Sequence, residues 1–328
     1  MKTFPTASNL LRGVFATAAL VGASSAFALT LPSVTSCGYA PPNDNLMCYT
    51  APETGGRLYV GSTHDDFLSY SSSNLSHYAN IKLNGEYVYT SLAEWRNTPS
   101  FGSGQIVKIF SFNSSQNGSW PDPTIGTNDN KSAPDADLTP KGDNNYQGQW
   151  PVGTTVTVGQ LKAFLGSGAT TPVFTFDLNE GEPGLDLNGY LKVTTATGAK
   201  TFAFDNAFND VYDPNSLVNA LRTQQVSWYD PVVCAATGGI CTVFLNNDVG
   251  SGKPDYFTYA MGFNLKDYAD TDTLYFFMNM KDIEGGGEEL SITNAVVPGN
   301  LVPEPASLAL LGLGILGLGL AGRRKNPA

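Results

Sequence analysis

Between residues 57 and 296 the apolar side chains recur with a period of two, in short runs each closed by glycine, proline or asparagine. A period of two sends successive side chains to opposite faces of a strand, so one face is buried while the other is wet. Asn84-Gly85, set between Ile81-Lys82-Leu83 and Tyr87-Val88-Tyr89, is the strongest of these signals. Both residues tolerate the positive φ that a two-residue hairpin turn requires. Residues 57–63, 105–113, 154–158, 173–178, 191–195, 200–204, 241–245, 256–263, 273–280 and 290–296 read as further strands, with Thr197-Gly198 as a second hairpin turn. Helix signals are few: 215–223 behind Asp213-Pro214, and 160–165. The pattern predicts an all-β chain, an antiparallel β-sandwich of jelly-roll-like form with one or two short helices and aromatic side chains between its sheets.

The two ends of the chain do not fit this pattern. At the N-terminus, Lys2 and Arg12 precede an apolar or small run from Val14 to Phe27, and Ala26-Phe27-Ala28 is a small-x-small cleavage site. This order of charge, apolar run and small residues reads as a secretory signal peptide over 1–28, with the mature chain starting at Leu29. At the C-terminus, Pro303-Glu304-Pro305 is followed by sixteen uncharged residues, Ala306 to Ala321, and then by Arg323-Arg324-Lys325. Sixteen helical residues extend about 24 Å, short for a hydrocarbon core of about 30 Å but enough for a thinned bilayer. The basic cluster would stay cytoplasmic and leave the rest of the chain outside.

This three-part tail resembles the PEP-CTERM sorting signal of exosortase substrates in Gram-negative bacteria. The resemblance covers only residues 303–328, and its site residues are Pro303, Glu304, Pro305, Arg323, Arg324 and Lys325. It implies export, transient anchoring in the inner membrane, and processing near Pro-Glu-Pro by an exosortase-like enzyme. Release or attachment at the cell surface would follow, often alongside exopolysaccharide.

Removing both ends changes the charge. Residues 29–302 lose Lys2, Arg12, Arg323, Arg324, Lys325 and Glu304, which leaves 13 basic against 28 acidic side chains and a net charge of −15. A nucleic-acid partner is excluded, because binding phosphates needs a basic face. Cys37, Cys48, Cys234 and Cys241 are an even set in an exported chain, which predicts disulfides. Three pairings are open; closeness in sequence favours Cys37–Cys48 and Cys234–Cys241. Only His64 and His77 are present, without metal-ligand spacing to the cysteines.

Residues 113–149 are almost without aliphatic side chains. They read as a long polar surface excursion of the secreted domain (29–302), with an interdomain linker as the alternative. Acidic and amide residues cluster there and in 177–213. Asp177, Glu180, Glu182 and Asp186 are candidate calcium ligands, since calcium takes six to eight oxygens from carboxylates and carbonyls. Asn246 to Tyr256 departs from calcium-loop spacing at Val249 and Ser251 and reads as a turn. There is no Gly-x-Ser-x-Gly elbow and no HExxH, so the chain is not expected to be an enzyme; a secreted hydrolase is the less favoured alternative. Trp120 and Trp150, each beside a proline in polar surroundings, are expected to be exposed and are candidate sugar-stacking platforms. The expectation is a surface or matrix protein with a structural or adhesive role, the alternative being a carbohydrate-binding module acting on exopolysaccharide.

Overall fold

The computed structural model describes residues 28–38, 46–102, 104–113, 120–121, 132–133, 139–140, 146–151, 155–166, 168–177, 186–204, 223–246, 249, 253–281 and 287–299. Antiparallel strands dominate, as expected, and form two main sheets.

The large sheet runs, edge to edge, Ile240–Asn246, Thr223–Tyr229, Arg57–His64, Phe67–Ser71, Tyr256–Ala260, Val173–Asp177, Gly287–Thr293 and Ile106–Asn113. Leu46–Thr50 adds to Arg57–His64, and Thr35–Ser36 adds to Leu46–Thr50. The small sheet runs Thr139–Pro140, Tyr146–Trp150, Thr273–Lys281, Asp186–Thr195 and Gly198–Phe204, with Val156–Thr157 also on Thr273–Lys281.

The two sheets pack through one aromatic and aliphatic core. Phe67, Phe174, Phe176 and Ile292 of the large sheet meet Leu191, Phe204, Phe276 and Met278 of the small one. Phe174 and Phe204 both lie against Phe276, with ring centroids 5.2 and 5.6 Å apart. This is the predicted sandwich.

A further layer was not predicted. The opposite face of the large sheet is also covered, by helix α1 (Ser72–Ala79) and the 3-10 helix Thr90–Trp95, between which the exposed Lys82–Leu83/Glu86–Tyr87 hairpin runs. Leu75, Tyr78, Leu92 and Trp95 pack there on Leu58, Tyr70, Trp228 and Phe257. Helix α1 ends just before the expected hairpin, and Asn84-Gly85 turns it, with φ of 52° and 88°. The second hairpin turns one residue earlier than expected, at Ala196-Thr197, because Thr195 pairs with Gly198. Helix α2 (Val158–Leu165) matches the 160–165 signal and carries a capping box between Thr157 and Gln160. The 215–223 helix expectation falls almost wholly outside the described residues, and Thr223 itself begins a strand.

The excursion 113–149 is not uniformly irregular. Trp120–Pro121 pairs with Ser132–Ala133, and Tyr146–Trp150 joins the small sheet against Phe276 to Met280. Ile109 before the excursion and Trp150 at its end lie in the same core.

Candidate functional site

Both ends of the described chain meet at one pole. Leu29–Leu31 pairs in parallel with Val296–Pro298, and the Leu29 N–H donates to Ala295 O at 2.7 Å. Trp95 Nε1 donates to Thr30 O at 3.2 Å and the Tyr70 hydroxyl to Pro32 O at 2.9 Å, so the N-terminal segment is tied to the cap layer and the large sheet. Gly299 crosses this segment so closely that a Cβ there would sit 2.0 Å from Leu31 O and 3.1 Å from Ser33 N. Only glycine permits that approach. A cleft of about 500 Å³ opens beside it, between Ser33, Val34 and Met47 on one side and Tyr70, Tyr259 and Phe263 on the other. The sorting residues Pro303, Glu304, Pro305, Arg323, Arg324 and Lys325, and residues 1–27 of the expected signal, lie outside the described residues; Gly299, the last described residue, lies against Ser33 of the cleft lining.

Both predicted disulfides are present: Cys37–Cys48 with Cα atoms 4.9 Å apart, and Cys234–Cys241 at 5.4 Å. The second closes a hairpin formed by Thr223–Tyr229 and Ile240–Asn246 at the edge of the large sheet. Val226 and Trp228 point into the cap-side core, while Gln225, Ser227 and Tyr229 point out beside Phe244, Thr242 and Ile240 of the partner strand. Tyr229 is 40% exposed, Ile240 56% and Phe244 67%.

Asp230 anchors this hairpin. Its carboxylate is fully buried and accepts four hydrogen bonds: from the hydroxyls of Thr54 and Tyr89, and from the backbone N–H groups of Val232 and Val233, the last three all at 2.8 Å. Burial alone would raise its pKa; the Thr54 hydroxyl foremost, with the other three donors, outweighs burial and holds the group below the ordinary aspartate value. Burial and the neighbouring carboxylate push the Tyr89 hydroxyl up. Gly56 leaves the space, since a Cβ there would fall 2.1 Å from Asp230 Oδ2. The Asx-type turn to 232 and 233 is local, but nothing near Asp230 in sequence announces its two distant partners, Thr54 and Tyr89.

The exposure expected of Trp150 is corrected. Trp150 is only 2% exposed and sits in the core between the sheets, so it offers no ring face to a sugar. Its strand pairs with Phe276, and the polar residues before it do not decide which way its side chain points. Trp120 lies in a two-residue strand, and its side chain is outside the described residues. Asp177 is buried in the large sheet opposite Glu289, while Asp186 starts a strand of the small sheet opposite Lys281. Glu180 and Glu182 lie outside the described residues. Among the described residues no group of three or more His, Cys, Asp or Glu is arranged to hold a metal ion. Asp255 is 2% exposed, and its Oδ1 accepts the Val249 N–H at 2.8 Å, closing the 249–255 turn. His77 packs edge-on against Trp228 at 5.5 Å, and burial lowers its pKa. Among the described residues no helix is long and apolar enough to cross a membrane.

No curated protein and no solved structure matches the chain. The PEP-CTERM protein-sorting motif matches residues 301–325. In sequence the motif begins two residues beyond Gly299, and the chain carries a PEP-CTERM sorting motif, which implies export and processing by an exosortase-type enzyme.

Proposed function

We propose that the secreted domain is a non-catalytic surface or matrix protein with a structural or adhesive role, held briefly at the inner membrane and then released or attached outside. The observation that carries this reading is the distance between fold and tail. Four residues from Gly299 to Pro303 reach at most about 14 Å, so the uncut precursor holds the domain and its cleft close to the bilayer. Cutting near Pro303-Glu304-Pro305 frees a domain whose two ends are already paired. Deleting residues 303–328 tests it: surface-accessible protein should disappear and soluble exported protein accumulate. Unchanged surface display in the deletion would reject the reading.

Carbohydrate binding is the second reading, favoured by the exposed aromatic and hydroxyl side chains of the 223–246 hairpin rather than by Trp150. Exopolysaccharide is then the partner. Retention of the purified protein on polysaccharide from its producer is the direct measurement.

A further inference from the structure

We propose that the outward face of the edge hairpin is a platform for an uncharged polysaccharide, with Tyr229 and Phe244 as its stacking rings. This rests on the carbohydrate reading above and gives that reading a site and a ligand class. Register puts three cross-strand pairs on one face: Gln225 with Phe244, Ser227 with Thr242, and Tyr229 with Ile240. The sandwich core does not reach this face, since none of these six residues belongs to it. Soluble proteins seldom leave large apolar side chains grouped in the open unless a partner covers them.

Charge selects the partner. The molecule has 29 acidic against 18 basic side chains, yet the hairpin strands Thr223–Tyr229 and Ile240–Asn246 contain none of either. An anionic polymer would be repelled by the whole, and Arg57, the cation opposite Tyr229 on the next strand, is turned to Ser36 O at 2.6 Å; a basic polymer would find no carboxylate on these strands. The face suits a ligand with apolar C–H surfaces and many hydroxyls. The rings of Tyr229 and Phe244 supply stacking surface, and Gln225, Ser227 and Thr242 supply donors and acceptors between them. The rings stand about 14 Å apart along the strands, which spans several linked sugar rings and favours a polymer over a monosaccharide.

The face is also stiff before any ligand arrives, which lowers the ordering cost of binding. Cys234–Cys241 closes its end, and Asp230 fixes the turn with four hydrogen bonds. The Ser227 and Thr242 hydroxyls bridge the strands at 2.9 Å. Tyr229 is seated against Gly239, where a Cβ would come 2.6 Å from its ring.

The test compares wild-type protein, Tyr229→Ala, Phe244→Ala, the double variant and Tyr229→Trp, all purified from the producing cells. The probes are dextran, amylose, cellulose and the anionic polymer alginate. Wild type should bind at least one neutral glucan, unaffected by salt between about 0.05 and 0.5 M, and should ignore alginate. Each alanine should weaken binding about tenfold and the double variant should abolish it, while Tyr229→Trp retains it. Absence of binding to every neutral glucan, equal binding by the double variant, or salt-sensitive alginate binding would overturn the assignment. So would a wild-type dimer in sedimentation that the double variant converts to monomer, because the face would then be covered by a second copy. Surface display measured on the same strains separates the two readings: normal display with failed binding removes this site and leaves the sorted-protein reading standing.

Discussion

The three central strands of the large sheet and the strand at its edge reverse the usual relation between composition and burial. Phe67–Ser71, Val173–Asp177 and Tyr256–Ala260 are buried at every position, including Ser69, Ser71, Thr175 and Thr258. Ile240–Asn246 is apolar at five of seven positions, a larger share than in Phe67–Ser71 or Val173–Asp177, yet alternate positions are exposed and Phe244 is the most exposed large apolar side chain described. Location decides this. A central strand is covered by the small sheet on one side and the cap layer on the other, whereas the edge hairpin is covered on the cap side alone. Some buried hydroxyls find acceptors, as Thr175 Oγ1 donates to Ser291 O at 3.5 Å and Ser72 Oγ of helix α1 to Pro254 O at 2.6 Å, whereas Thr258 Oγ1 is buried without a hydrogen-bond partner.

Substitutions can break this contrast, and the largest effect belongs to the centre. Phe257 is fully buried, with Trp95 edge-on at 5.3 Å, so Phe257→Ala should cost about 3–5 kcal/mol in denaturant unfolding. Next comes the hairpin's anchor. Asp230→Ala removes the acceptor of four hydrogen bonds and should cost about 3 kcal/mol. Because folding lowers the Asp230 pKa, its contribution is present above the unfolded value of about 3.9 and is lost as pH falls through the folded value. The melting temperature of Asp230→Asn should therefore fall less than that of wild type between about pH 5 and pH 2; parallel curves would count against an ionised Asp230.

Removing the Cys234–Cys241 link with paired serines should cost about 2.5 kcal/mol, the loop-closure value for so short a loop. Reducing a variant that already carries Cys37→Ser and Cys48→Ser provides the matching measurement, because only Cys234–Cys241 is then left to break. Smallest of all, Phe244→Ser should shift stability by about 0.5 kcal/mol or less, since its side chain is already mostly in water. A loss near that of Phe257→Ala would show that the hairpin face is covered and would dissolve the contrast.

Much of the fold is legible in the sequence, but the candidate site is legible only in pieces. Alternation marks Arg57–His64, Val173–Asp177 and Thr273–Lys281, and Asn-Gly marks its hairpin, because these signals act over a few residues. Helix α1 is hidden in Ser-Ser-Asn-Leu-Ser-His-Tyr-Ala, where serine and asparagine favour caps and turns over helix interiors. It forms because Ser71 caps it and Leu75, Tyr78 and Ala79 bury against the sheet. Thr223–Tyr229 carries a readable signal, Gln225 and Ser227 alternating with Val226 and Trp228, which marks both the strand and its outward face.

By itself, the sequence determined the C-terminal sorting motif and most of the strand content, and it favoured the cysteine pairing that forms, since each depends on neighbours within about ten to twenty-five residues along the chain. Tertiary structure alone decided that Trp150 is core, that Phe244 is surface, that Asp230 is a buried anchor and that Leu29 lies beside Val296. Those outcomes depend on partners brought together by folding. Asp230 meets Thr54 and Tyr89 across 176 and 141 residues of sequence, a distance over which local pattern carries no information and sheet order carries all of it.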